Sequence, residues 1–211
     1  GLPHTPALGQ RLLVRPGPAA DAVSRALITT ALQAVAAQQL SSWHVAFPTD
    51  HEVELLRSHG LLVSHNVQFH WRDDGYGDFA GFMAAFSAER RRKLRAERRR
   101  VAESGLRIEV RHGDEIDRGE WPALHALYAS TFDKYGNYAA FTAQCFADLA
   151  AALGRRMVLF IARADGVPVA LSICFRSADT LYGRYWGTSG NYHSLHFELC
   201  FYQGIDYCLR E

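Results

Sequence analysis

Residues Thr180–Leu209, TLYGRYWGTSGNYHSLHFELCFYQGIDYCL, decide how this chain folds. They read as a short aromatic strand, a polar loop between Gly187 and Gly190, and a long helix that closes back on the strand. Arg184 sits inside the most aromatic strand of the chain, and Glu198 falls on the apolar side of the helix that follows. A charge in either place costs several kcal/mol unless it is paired or used. Two readings of this placement stand side by side. Glu198 and Arg184 form an ion pair that fixes strand against helix, or they bind and activate a substrate. The loop has the same double reading, because a glycine turn before a helix can cradle an anion or can simply turn the chain.

Working outward, period-2 patterns precede this stretch at 157–164 and 167–176, joined by Asp165-Gly166, a strong hairpin signal. A second two-residue turn at Ala178-Asp179 gives a three-strand meander. With that turn, Phe175 is expected opposite Tyr182, Ile173 opposite Arg184 and Leu171 opposite Trp186. The other face carries Ala170, Ser172, Cys174, Gly183 and Tyr185, small enough on average for the last helix to approach closely. On a straight helical wheel, His196, Gln203, Asp206 and Arg210 share one arc. Phe197, Phe201, Ile205, Cys208 and Leu209 share the other, with Glu198 among them. Before the meander, 106–110 alternates as a strand, and 117–132 and 138–153 are amphipathic helices.

The first part of the chain reads strand (10–15), helix (19–40), strand (44–47), helix (50–59, with Asp50 as its cap) and strand (61–71). A helix then opens at Asp78 and runs to Gly105. Its first turns carry the apolar stripe Phe79, Phe82, Met83 and Phe86, and its remainder only Leu94 and Val101. From Glu89 to Arg100 there are eight basic and two acidic residues, so a chain of net charge +1 concentrates +6 in twelve residues. Arg91, Arg95 and Arg98 share one face, as do Arg92, Arg95 and Arg99. This is either a solvated helix or a face for phosphates. No aromatic residue is interleaved in it, so base stacking is not suggested and contacts would be to backbone phosphate.

With 211 residues, 48% hydrophobic and 21% charged, the composition is that of an ordinary globular protein. No apolar run reaches the length of a membrane span. Cys145, Cys174, Cys200 and Cys208 lack metal-ligand spacing and lie in apolar patterns, so they are expected as buried free thiols. No histidine pair has ligand spacing, no metal is expected, and the location expected is the cytoplasm. His70 ends the long strand of the first half and is either structural or turned toward a crevice between the halves. The chain is expected to be a piece of a longer protein.

FHWRDDGYGDFAGFMAAFSAERRRKLRAERRRVAESGLRIEV (69–110) and DTLYGRYWG…HFELCFYQGIDY (179–207) resemble a Fem-like family of predicted N-acyltransferases. That family is related to ligases that add amino acids to peptidoglycan precursors. The unit 157–211 also resembles the core of the GNAT acyltransferase fold. The resemblance implies a mixed α/β protein of mainly antiparallel sheets with flanking helices, holding two partial tandem domains. Residues 1–77 would be the carboxyl half of the first, 78–105 a basic connector, and 106–211 a truncated second. The usual GNAT pyrophosphate signature is absent at Trp186-Gly187-Thr188-Ser189-Gly190, and relatives of the Fem type use aminoacyl-tRNA. The acyl donor is therefore aminoacyl-tRNA or acyl-CoA, with no bound cofactor.

The function expected is amide formation on an amine acceptor, small or peptide-like. Glu198 orients or deprotonates the amine. Arg184 holds an anionic group, and Tyr182, Tyr185, Trp186, His196 and His70 shape the substrate site. Arg91, Arg92, Arg95 and Arg98 contact donor phosphates, tRNA included. Two rivals remain open: a non-catalytic GNAT scaffold that recognises a peptidoglycan-like or nucleic-acid ligand, and a nucleic-acid protein built on the arginine helix.

Overall fold

The computed structural model describes residues 8–211, which divide into two compact units between Phe69 and His70. In the first unit, α1 (Ala20–Ala37) and α2 (Asp50–Ser58) bury Ile28, Leu55 and Leu56. The cap of α2 is Thr49, not Asp50. Thr49 and Glu52 form a reciprocal capping box, with the Glu52 backbone N–H donating to Thr49 and the Thr49 backbone N–H donating to Glu52 Oε2 at 2.9 Å.

Residues 10–15, 44–47 and 61–71 form no strand ladder. For 10–15 the physical reason is visible at Glu52. Its buried carboxylate takes the backbone N–H groups of Arg11 and Leu12, both at 2.6 Å on Oε1. These donors are satisfied by a side chain and leave nothing for a neighbouring strand. Burial raises the Glu52 pKa, but the N–H groups of Leu12, Thr49 and Arg11 outweigh it and hold the group below its ordinary 4.5. A depressed carboxylate contributes stability that is complete above the unfolded value and is lost as pH falls through the folded one. The first unit is therefore expected to weaken as pH drops below about 4.5. Glu52→Gln should remove about 1–3 kcal/mol at pH 7 and flatten that acid limb, read by unfolding curves at pH 7 and pH 4. An unchanged acid limb would refute the assignment.

The second unit opens with α3 (Phe79–Ala84), capped by Asp78, whose side chain accepts from Gly81 N at 2.7 Å. The continuous helix expected over 78–105 is broken. Ser87 caps a new helix, α4 (Ala88–Ala102), by accepting from Arg90 N. A serine hydroxyl offers the backbone an alternative partner, so it starts helices better than it continues them. β1 (Arg107–His112), α5 (Trp121–Lys134), α6 (Ala143–Leu153), β2 (Met157–Ala164), β3 (Val167–Arg176) and β4 (Leu181–Thr188) follow. The strands make one antiparallel sheet in the order β1-β2-β3-β4. Asp165 and Gly166 both take positive φ, 49° and 82°, as a two-residue hairpin turn between twisted strands requires.

Each face of the sheet has its own core. Leu159, Ile161, Leu171 and Ile173 pack on Trp121, Leu124, Leu127, Tyr128 and Phe146 from α5 and α6. Val158, Phe160, Ala162, Ala170 and Cys174 pack on Leu195, Leu199 and Tyr207 of the last helix and on Val101 of α4. The last helix thus covers the face of small residues, as the alternation predicts.

The β3–β4 register departs from expectation at one residue. Phe175 does face Tyr182, but Ile173 faces Tyr185 and Leu171 faces Gly187. Arg184 is the extra residue of a bulge between Ile173 and Cys174, and every side chain after it changes face. Tyr185 joins the α5–α6 core and Trp186 goes to the side of the last helix.

Candidate functional site

The last helix, residues 195–210, runs as α7 (Leu195–Phe197), a π-helical turn (Glu198–Tyr202) and α8 (Gln203–Arg210). The wider i→i+5 turn alters the phase of a straight wheel. Leu195, Leu199 and Tyr207 therefore face the core, while Phe197 and Phe201 are about half exposed, at 51% and 48%. This corrects the apolar arc read from the wheel. Glu198 is nevertheless inward, 3% exposed, at the first position of the π turn.

Its partner is Arg98, one hundred residues earlier on α4, and not Arg184. Arg98 Nε donates to both carboxylate oxygens at 3.2 Å, and Nη2 donates to Oε1 at 3.1 Å. Gln203 Nε2 adds a bond to Oε1 at 2.8 Å. The Arg98 guanidinium also lies 4.3 Å from the Phe79 ring centroid, which fixes its plane. One turn along, Tyr202 donates to Glu97 at 2.7 Å, and its hydroxyl pKa is raised by burial and by that carboxylate. Two adjacent residues of α4 thus clamp the π turn at both ends. Among these contacts Oε1 accepts three donors and Oε2 one, so Oε2 keeps acceptor capacity.

Glu198 opens on a cavity of about 750 Å³ whose apolar wall includes Phe79, Met83, Val101, Leu106 and Ile108. Arg95, Arg98 and Arg99 line the same cavity. Its size is that of a small-molecule site, and its lining follows the usual plan of apolar walls with a few polar groups.

The predicted residues divide. Glu198, Arg95 and Arg98 meet at the cavity. Arg92 is exposed on α4. Arg91 serves α3 instead, donating to Ala84 O at 3.0 Å and Phe86 O at 2.7 Å. Arg184 is half-buried, its guanidinium 4.5 Å from the Tyr185 ring centroid. Tyr185 packs edge-on against Tyr128 at 5.0 Å. Trp186 and His196 meet edge-to-face at 5.0 Å. Burial of the imidazole lowers the His196 pKa below 6.5. Tyr182 is 51% exposed, and His70 is exposed at the start of the second unit.

The glycine loop has a packing duty of its own. A Cβ on Gly187 would stand 1.7 Å from Leu127 O of α5. Cys174 is buried, and burial pushes its thiol up to about 12; the same effect takes Cys200 to about 12. Both are therefore poor nucleophiles. Among the described residues there is no cluster of three His, Cys, Asp or Glu able to hold a metal, and no helix long and apolar enough to cross a membrane.

Sequence reasoning missed Gln203, Phe79, Met83 and Arg99 as lining, and missed Arg98 as the partner of Glu198. The signal available for Arg98 was its position one helical turn before Val101, an apolar contact in a helix that otherwise faces water.

No curated protein matches the chain. Among solved structures it is similar to the C-terminal DUF2156 domain of a "Putative Lysylphosphatidylglycerol Synthetase" from Agrobacterium fabrum. The identity is 15% and the TM-score 0.42, over 61% of this chain. The match spans 40% of that chain, well under half of its length. A model of the FemAB-like family, described as peptidoglycan biosynthesis/recognition, matches residues 1–211. Matched over its full length, the chain belongs to the FemAB-like family.

Proposed function

We propose that the chain is part of a transferase that forms an amide on the amine of a peptidoglycan-precursor type acceptor. The observation that carries this reading is Glu198, a buried carboxylate held ready by Arg98 and Gln203 on the wall of a cavity of small-molecule size. A carboxylate bound to a guanidinium is a poor base, so its part is positional. Oε2 accepts a hydrogen bond from the acceptor ammonium or amine and sets the nitrogen toward the acyl carbon. Once an ammonium has lost its extra proton to solvent, the neutral amine nitrogen attacks the acyl carbonyl. The C–N bond forms, the ester C–O bond of an aminoacyl-tRNA or the thioester C–S bond of an acyl-CoA breaks, and the amine proton leaves with solvent or the departing group.

The succession of strand, two helices, three antiparallel strands and a helix from residue 107 to 210 supports a GNAT-like arrangement for this part. In that arrangement 78–105 contributes to the site as more than a connector. The exposed arginines of α4 supply the donor's phosphate contacts. Tyr182, Trp186 and His196 lie along β4 and α7 beyond the cavity lining and contact the rest of the substrate.

The test is transfer by the protein and its Glu198→Gln variant, with aminoacyl-tRNA and acyl-CoA as donors and cell-wall precursor peptides as acceptors. One charge-assisted hydrogen bond to an amine is worth about 1.5–3 kcal/mol, so turnover should fall tenfold or more with the fold intact. Turnover unaffected by Glu198→Gln would end this reading. Acceptor binding without any turnover would favour recognition alone.

A further inference from the structure

Arg98 belongs to two groups at once, and that double membership has a chemical consequence. It is the clamp on Glu198 through three hydrogen bonds, and it stands between Arg95 and Arg99 on the lining of the same cavity. Arg95 is exposed. Arg99 makes a loose pair with Glu103, at 3.9 Å and with both side chains 69% exposed. A guanidinium binds phosphate with the same fork geometry that it uses for carboxylate. The Arg98 side chain is 29% exposed whereas Glu198 is 4% exposed, so an anion arriving from the cavity meets the arginine first.

We propose that Arg95, Arg98 and Arg99 form a subsite for a phosphate or diphosphate group, and that filling it draws Arg98 from Glu198 to the phosphate. This rests on the reading of Glu198 as the acceptor-side carboxylate and adds an order of events. The occupied subsite releases Glu198 from its cation, and the freed carboxylate then holds the incoming ammonium. An empty subsite leaves Glu198 neutralised and the acceptor weakly held. The Phe79 ring under Arg98 gives the guanidinium a surface to slide on while it changes partner.

Competition for one guanidinium predicts a specific coupling. Titration calorimetry with inorganic pyrophosphate at low salt should show about tenfold tighter binding to Glu198→Gln than to the unaltered protein, because Arg98 no longer has a carboxylate partner. The gain should vanish in an Arg98→Gln background. A simple through-space charge effect would persist there, and that outcome overturns the exchange. The neutral pair Arg98→Gln with Glu198→Gln leaves no buried charge, and it should bind pyrophosphate at least tenfold more weakly than Glu198→Gln. A pair that binds as tightly as Glu198→Gln overturns the exchange, even where Arg98→Gln alone fails to fold. Arg95→Gln should weaken pyrophosphate several-fold with the Glu198 gain retained; a full-strength Arg95→Gln overturns the subsite.

Coenzyme A and geranyl diphosphate separate the two sources of the phosphate. Tighter binding of coenzyme A places a donor there. Tighter binding of geranyl diphosphate, whose chain fits the Phe79–Met83–Val101 wall, places an acceptor headgroup there. Binding by none of the three overturns the proposal, and the titrations read it independently of turnover. A coupled pyrophosphate site with turnover indifferent to Glu198 would retain the exchange and remove only the catalytic reading.

Discussion

Gly187→Ala should destabilise the second unit by about 3 kcal/mol or more, while Gly183→Ala four residues earlier on the same strand should change it by less than about 1 kcal/mol. Both glycines lie on β4, and both have the same strand propensity to gain from a side chain. Around Gly183 nothing stands within 4 Å of an added Cβ. At Gly187 the Cβ would meet Leu127 O at 1.7 Å, Leu127 C at 2.3 Å and Tyr128 N at 2.9 Å. All three are backbone atoms of α5 and cannot rotate away. The helix is also tied to the strand there: Ser130 Oγ donates to Thr188 O at 3.1 Å, and Thr131 Oγ1 donates to Trp186 O at 2.6 Å. Moving α5 outward to admit a methyl group would break both bonds and open the core under Leu127 and Tyr128. On a unit of this size the loss corresponds to a fall in Tm on the order of 10 °C, measurable by calorimetry. A Tm within about 2 °C of the unaltered protein would mean that α5 does not seat on Gly187.

The same strand shows what sequence can and cannot deliver. The ranges of β2 and β3 and their hairpin follow from two short apolar runs and the Asp165-Gly166 turn between them, because local sterics decide such a turn. The pairing of Phe175 with Tyr182 follows from the length of the next turn. Past Arg184 the register is lost, since a bulge is set by what packs on the strand from elsewhere. Here the Gly187 contact with α5 and the burial of Tyr185 against Tyr128 choose the phase. In the first unit, 10–15 looks like a strand in sequence, but Glu52 takes the backbone donors of Arg11 and Leu12, a contact some forty residues apart in sequence.

The site was half legible in the same sense. An acidic residue among apolar neighbours marks Glu198 as a group that must be paired. Its nearest cation in the strand–loop–helix unit is Arg184, which suggested the wrong partner. The true partner lies in a run of eight basic residues that look alike in sequence. Packing alone separates Arg98 on the cavity from Arg91 at the end of α3 and Arg92 in solvent.

Arg98→Ala should destabilise the second unit by about 3–5 kcal/mol, the usual consequence of leaving one member of a buried ion pair behind. Glu198 would remain 100 residues away in sequence, its side chain 4% exposed, with Gln203 still donating to it at 2.8 Å. A single amide cannot replace a guanidinium that donates three bonds and carries the balancing charge. Arg98→Lys should recover only part of the loss, because an ammonium neither forks across both oxygens nor stacks on Phe79. Adding Glu198→Gln to Arg98→Ala should restore about half, since a buried neutral amide costs far less than a buried carboxylate. The order Arg98→Ala, then the double variant, then the unaltered protein is the signature of an ion pair. A packing role alone would give the double variant the lowest stability of the three. The location of the damage is also fixed. α4 offers the rest of the unit only Leu94 and Val101 as buried side chains. Hydrogen exchange should therefore show α4 amides losing protection at once, while β2, buried from Met157 to Ala162, keeps its own. Equal protection of α4 with and without Arg98 would show that two apolar contacts suffice to hold this helix, and that the arginine is free to serve the cavity alone.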